Sequence, residues 1–167
     1  MINKRLQLTL FLDERSSQVI EKIREEFNPQ QYALIKAHVT PCREDELEEL
    51  DFVLEILKRN RFPGISVDFG LAERFADGRG VLIRGVGDNS AFQELRKNLL
   101  QKFTDTPRKH EPHITLMHPR NSTCNDNIFE QIAHIELPTI LSFNKISLIE
   151  QENGDAWRVL KEFDLQS

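Results

Sequence analysis

The tripeptides His38-Val39-Thr40 and His113-Ile114-Thr115 are of one type, a His, a β-branched aliphatic residue and a Thr. Side chains alternate faces along a β-strand, so each His and Thr would point one way while Val39 or Ile114 points into a core. Each copy then presents a proton-transfer group beside a hydroxyl donor. With five His and seven Thr in the chain, chance supplies roughly 0.2 His-x-Thr pairs, so two copies sharing a β-branched middle residue carry far more weight than one. Two imidazoles of near-neutral pKa can divide labour at pH 7, one neutral as base and the other protonated as acid. A phosphodiester suits that pair, because one oxygen must lose a proton on attack and another must gain one on leaving. Thr40 and Thr115 can hydrogen-bond the non-bridging oxygens without neutralising them. In-line attack places acid and base on opposite sides of phosphorus. Two strands facing each other across a cleft meet that demand, and in principle neither a metal nor a cofactor is needed.

The elements that must position these groups read as a duplicated unit. Residues 5–12 alternate and predict a strand. Several N-cap candidates follow from Asp13 to Ser17, and Val19, Ile20, Ile23 and Phe27 recur at helical spacing until Asn28-Pro29. A strand over 32–40 would end in the first motif. Leu47, Leu50, Leu54 and Leu57 predict an amphipathic helix from Glu44 to Arg59, broken by Pro63-Gly64. Ile65 to Leu71 and Gly80 to Gly85 read as strands around an Asp77-Gly78 turn.

The second half repeats the order. Ser90-x-x-Gln93 fits a capping box, with Phe92, Leu95, Leu99 and Phe103 on one helical face. The strand with the second motif follows, then a helix marked by Ile128, Ile132 and Ile135. Ile140 to Ile149 and Trp157 to Leu165 read as closing strands around an Asn153-Gly154 turn. We therefore expect an α+β fold, bilobal and pseudo-symmetric, with mostly antiparallel sheets around a central cleft. Two intertwined lobes would form a single unit over residues 1–167.

The chain of 167 residues carries 22 Lys and Arg against 27 Asp and Glu, a net charge of −5. That balance argues against coating long nucleic acid, but leaves room for a locally basic cleft that takes a nucleotide or an RNA end. Cys42 and Cys124 show neither metal-ligand spacing nor a disulfide framework. No signal-like start or membrane-length apolar run is evident, so the expectation is a cytoplasmic protein, monomeric and without a membrane partner.

The paired motifs, the stretch Pro112-His113-Ile114-Thr115-Leu116 and the closing segment from Ile146-Ser147-Leu148-Ile149 to Trp157 resemble the two-histidine (2H) phosphoesterase superfamily, in its 2′-5′ RNA ligase-like branch. The resemblance implies a bilobal α+β fold with a central cleft. It also implies metal-independent chemistry on 2′,3′-cyclic phosphates, 2′-5′ linkages or related cyclic phosphates. His38 and His113 would be the acid/base pair, and Thr40 and Thr115 the phosphate donors. The family motif usually ends in a hydrophobic residue. Leu116 fits, but Pro41 departs; it removes a backbone donor and should end the first strand early. Some relatives carry a basic residue soon after the second motif, where His118 and Arg120 stand.

Arg43, which follows the first motif, is a further candidate for phosphate contact. His118 would face away from His113 unless its strand ends or bulges first. Lys36 shares the parity of His38 and could add charge to the cleft. His110 lies before the second strand and reads as solvated, and His134 as a surface or capping residue. The His110, His113 and His118 spacing matches no familiar zinc site. Phe11, Phe69 and Phe75 could stack on a base but read more simply as core. The expected activity is hydrolysis of a 2′,3′-cyclic phosphate or a related phosphodiester at a nucleotide or RNA end. The alternatives are the reverse reaction, 2′-5′ ligation, and non-catalytic binding of a nucleotide or RNA end.

Overall fold

The computed structural model describes residues 1–166; Ser167, the last residue of the expected unit, lies outside the described residues. Eight strands form two four-stranded sheets, and every strand pair within them is antiparallel. The first half runs β1 (Lys4–Phe11), α1 (Gln18–Phe27), α2 (Pro29–Leu34), β2 (His38–Val39), α3 (Leu50–Arg59) and β3 (Ile65–Arg74). The second runs β4 (Val81–Gly85), α4 (Ser90–Leu99), β5 (His113–Met117), α5 (Asp126–Ala133), β6 (Ile140–Phe143), β7 (Lys145–Glu152) and β8 (Arg158–Asp164). One sheet is ordered β2-β1-β7-β8 and the other β5-β4-β3-β6. Each half thus sends a strand to the other half's sheet: β3 pairs with β4, and β7 with β1. Both motif strands are edge strands, and they approach each other across the space between the sheets. Val39 and Ile114, the middle residues of the motifs, are fully buried in a core that draws on both sheets.

Five local expectations change. The strand expected over 32–40 begins instead as the last residues of helix α2, runs on as irregular chain over 35–37, and β2 keeps only two residues. Pro29 occupies the first turn of α2, where its missing N–H costs nothing. Asn28 closes α1 with its N–H to the Arg24 carbonyl and opens α2 by accepting from the Tyr32 N–H. The helix expected from Glu44 to Arg59 is interrupted. A short 3₁₀ turn at Glu44–Glu46 precedes α3, because the Glu46 carboxylate turns to the Arg43 N–H and to Arg96. The Ser90-Gln93 capping box does not form. Asn89, in the left-handed region at φ 51°, caps α4, and the Gln93 amide donates to the His110 carbonyl at 2.7 Å. Phe103 lies beyond α4 and is largely exposed. The closing strand expected over 140–149 splits at Asn144, with β6 in one sheet and β7 in the other.

The hairpin turns follow the expected chemistry. Asn153 and Gly154 both take positive φ, 50° and 79°, in a tight turn closed by the Asp155 N–H on the Glu152 carbonyl, within the longer connection from β7 to β8. No helix is long and apolar enough to cross a membrane among the described residues.

Truncation of Ile114 would leave a cavity under the second motif. Ile114→Ala is expected to lower unfolding free energy by about 3 kcal/mol, read from the urea midpoint at unchanged m-value. A loss below about 1 kcal/mol would mean that the sheet collapses freely around this site.

Candidate active site

His38, Thr40, His113 and Thr115 line one cavity of about 180 Å³ between the sheets. His118 and Arg120 line it as well. Strand β5 ends at Met117 and the chain turns, which brings His118 round to the cavity despite its parity. Its backbone N–H is held by the Asn28 Oδ1 at 2.9 Å. Arg43 does not reach the cavity. Its Nε donates to the His110 Nδ1 at 3.3 Å, behind His113, so it is not a substrate contact in this geometry. Lys36 is exposed and offers only its main-chain carbonyl to the site.

The two motif imidazoles are held alike. The His38 Nδ1 lies 2.7 Å from the Lys36 carbonyl, and the His113 Nδ1 lies 3.4 Å from the Glu111 carbonyl. A carbonyl only accepts, so each Nδ1 carries a proton and each neutral ring keeps its lone pair on Nε2. An aromatic edge supports each ring. Phe11 meets His38 at 6.1 Å between ring centroids, and Phe75 meets His113 at 6.3 Å, interplanar 90°. Phe11 and Phe75 therefore brace imidazoles, whereas Phe69 is ordinary core. Gly80 allows the second brace, because a Cβ there would collide with the Phe75 ring.

His118 has the opposite ring polarity. Its Nδ1 accepts from the Arg120 N–H at 3.1 Å, so in the neutral ring Nε2 bears the proton. Burial pushes the His38 pKa down to about 4, outweighing the Lys36 carbonyl, with the Arg24, His113 and His118 charges adding to the fall. Burial also lowers His113 and His118, helped by Arg84 and Arg43 at the first and by Arg120 and Arg5 at the second. At neutral pH the imidazoles are therefore uncharged, and an anion between them would draw protons onto them.

Besides the apolar Leu34 and Ile35, six lining residues escape motif reading: Arg5, Gln7, Arg24, Gln31, Gln151 and Trp157. Arg5 binds Glu44 and the Gln151 Oε1, and its guanidinium lies 5.2 Å from the centre of the Trp157 ring. Arg24 is almost fully buried. It pairs with Glu21 and donates to the Ile35 carbonyl at 2.7 Å, while Glu21 accepts from the Ala37 N–H. This pair fixes the segment that leads into His38. The available signal was polar side chains at inward strand positions: Arg5 and Gln7 share a face of β1, and Gln151 stands opposite Arg5 on β7. The described lining residues include three Arg and no Asp or Glu, on a chain of net charge −5. No group of three or more His, Cys, Asp or Glu is placed to hold a metal ion among the described residues.

His110, expected to be solvated, is only 7 % exposed. Its ring stands 6.1 Å from that of His113, and its Nε2 has no hydrogen-bond partner among the described residues. His134 caps α5, its Nδ1 meeting the Glu130 carbonyl.

The molecule is thus an antiparallel α+β protein whose paired His-x-Thr motifs line one arginine-rich cavity. The sequence pattern of the 2′-5′ RNA ligase superfamily matches residues 12–155, and the chain is a member of that family. E. coli LigT complexed with ATP superposes with a TM-score of 0.63 at 17% identity, over 98% of each chain. A structure described as a phosphoesterase gives 0.62 at 14% identity, over 99% of this chain and 100% of its own. The protein TT0787 of Thermus thermophilus gives 0.58 at 16% identity, over 98% of each. At such identities these likenesses concern the fold. No curated protein sequence matches the chain closely enough to add to this.

The buried His110 predicts acid sensitivity with a definite sign. Its pKa falls from 6.5 to about 4 on folding, chiefly by burial, then through Arg96 and Arg43. The unfolded chain therefore binds the extra proton between those values, so stability is intact above pH 6.5 and is lost as pH falls towards 4. In His110→Gln the slope of unfolding free energy against pH should flatten across that window by about 1.4 kcal/mol per pH unit. An unchanged slope would show that this ring is not held neutral by the fold.

Proposed function

We propose that this chain is a metal-independent phosphodiesterase that opens 2′,3′-cyclic phosphates, or related phosphodiesters, at nucleotide or RNA ends. The observation that carries this reading is that two imidazoles, each with Nδ1 at a main-chain carbonyl, and the Thr of each motif line one cavity with arginines and no carboxylate among the described residues. Water attacks phosphorus in line, and its proton passes to the Nε2 of one His. The bond from phosphorus to a ribose oxygen breaks, and that oxygen takes the proton held on the other His. Thr40, Thr115, His118 and Arg120 face the non-bridging oxygens, where negative charge grows. The two rings are equivalent enough in setting that substrate orientation decides which is acid and which is base.

Membership of a superfamily named for 2′-5′ RNA ligation adds the reverse reaction, in which a ribose hydroxyl replaces water and the two His exchange roles. Hydrolysis ranks first because water is the concentrated nucleophile. E. coli LigT has been crystallised with ATP, with phosphate and with 3′-AMP, which supports a nucleotide-sized phosphate ligand here. Strand exchange between the sheets supports reading the chain as one unit, and both His come from one chain, so we take a monomer as the working form. Free Cys42 and Cys124 suit a reducing cytoplasm.

Turnover of a 2′,3′-cyclic-phosphate dinucleotide tests the reading. His38→Ala and His113→Ala should each cut kcat by about 10²–10⁴-fold, with the thermal transition retained. Near-wild-type turnover in either variant removes that ring from the chemistry. Phosphate binding without turnover of any cyclic phosphate would favour a binding protein.

A further inference from the structure

Gln7 is a buried neutral residue on β1 that the two-His chemistry does not require. Its Nε2 lies 3.0 Å from the Thr9 Oγ1 and 3.1 Å from the Thr40 Oγ1. An amide nitrogen only donates, and a hydroxyl has one proton to give. Once the Thr40 oxygen accepts from Gln7, its own proton must go elsewhere, and no protein acceptor takes it among the described residues. Thr40 lines the cavity, so that proton is left for whatever oxygen occupies it. Accepting one hydrogen bond also polarises the hydroxyl into a better donor.

The second half has no such device. Thr115 stands opposite Leu82 on β4, a side chain that offers no hydrogen bond, and its hydroxyl has no protein partner among the described residues. The two Thr are thus unlike, although their motifs match. One hydroxyl is aimed before a ligand arrives, and the other turns to suit it.

We propose that Gln7 is a positioning residue that presets the Thr40 hydroxyl as a donor to a non-bridging phosphate oxygen, making the first-half wall of the cavity the fixed oxyanion contact and Thr115 the adjustable one. This rests on the phosphodiester reading of the site. Pre-aimed donors act most strongly where charge grows at the transition state, since they need no rearrangement as it develops.

The test is a double-variant cycle in the full chain, read by calorimetric titration with inorganic phosphate and by hydrolysis of 2′,3′-cyclic AMP. Gln7→Met keeps length and burial but removes the donor. Gln7→Met and Thr40→Val should each weaken phosphate binding about tenfold and lower kcat more than they raise KM. Combined, they should bind no worse than Thr40→Val alone, because Gln7 acts only through that hydroxyl. With Thr115→Val the effect of Gln7→Met should instead multiply. A merely structural Gln7 would cost the same with or without the Thr40 hydroxyl, so multiplying losses in the Gln7–Thr40 pair overturn the proposal. So does wild-type phosphate affinity in Gln7→Met, or in Thr40→Val. Should Gln7→Met lose its thermal transition, Gln7→Glu replaces it. Its carboxylate accepts where the amide donates, and its penalty should be larger with the Thr40 hydroxyl present than absent. Phosphate binding that obeys the cycle in a chain with no turnover leaves the Gln7 inference standing and removes the enzyme reading. Turnover with additive losses does the reverse.

Discussion

Everything the site can do depends on a main-chain carbonyl two residues before each motif imidazole. Those carbonyls, of Lys36 and Glu111, hold a proton on Nδ1 and so present a bare Nε2 to the cavity. Without them a neutral imidazole would choose its tautomer freely, and many of the rings would show a donor where a base is needed. The extended backbone makes this contact local, since the chain before each His runs beside the ring it orients. The fold then has only to bring the two strand starts together.

Bringing them together falls to strand exchange and to one buried cation. Because β3 pairs with β4 and β7 with β1, neither sheet can move without carrying a strand of the other half. Arg96 of α4 is fully buried and spans the same gap in side-chain terms. It donates to the Pro41 carbonyl just after the first motif, to the Arg108 carbonyl before the second, and to both oxygens of Glu46. Glu46 is held well below the usual carboxylate range, at about 2, by Arg96, by the Arg43 N–H and by Arg108 against its own burial. Such a buried pair is a poor source of net stability, since desolvating both charges costs much of what they gain. Its value here is geometric, because it specifies the distance between the segments that flank the two His.

The motif pair was legible because its information is local: residue type, spacing and strand parity place His and Thr together whatever the surroundings. The sheets and most helices were legible for the same reason, since their apolar periods match the faces they bury. Element breaks were not. Asn28-Pro29 reads as a stop, but Pro also starts helices, and only packing of the next segment decides between the two. The 3₁₀ turn at Glu44–Glu46 and the missing Ser90-Gln93 box both depend on distant partners: Glu46 caps its own turn at the Arg43 N–H while also binding Arg96, and Gln93 gives its amide to the His110 carbonyl in place of a local cap. Arg43 was misplaced for a similar reason. Its nearness in sequence to His38 is real, but its guanidinium turns to His110. Gln151 and Trp157 reach the cavity only because β7 crosses to pair with β1, and that long-range pairing leaves no periodic mark in the sequence.

The wall built by that crossing also gives an acidic chain a locally basic cavity. The carboxylates near the cavity are engaged elsewhere: Glu21 with Arg24, Glu44 with Arg5 and Glu111 with Arg84. The first two pairs leave Arg5 and Arg24 towards the cavity while their acidic partners stay out of its lining. The net charge of −5 therefore describes the outer surface, whereas the site is governed by three guanidiniums at short range in a partly desolvated space. Distant surface charge is screened within about 8–10 Å at ordinary ionic strength, so local pairing outweighs the global sum. The same locality keeps the imidazoles neutral until an anion arrives, since arginine charge and burial both oppose their protonation. Under the proposed reaction a bound phosphate would reverse the balance by supplying the counter-charge, so the proton required of the acid would be recruited by the ligand that consumes it.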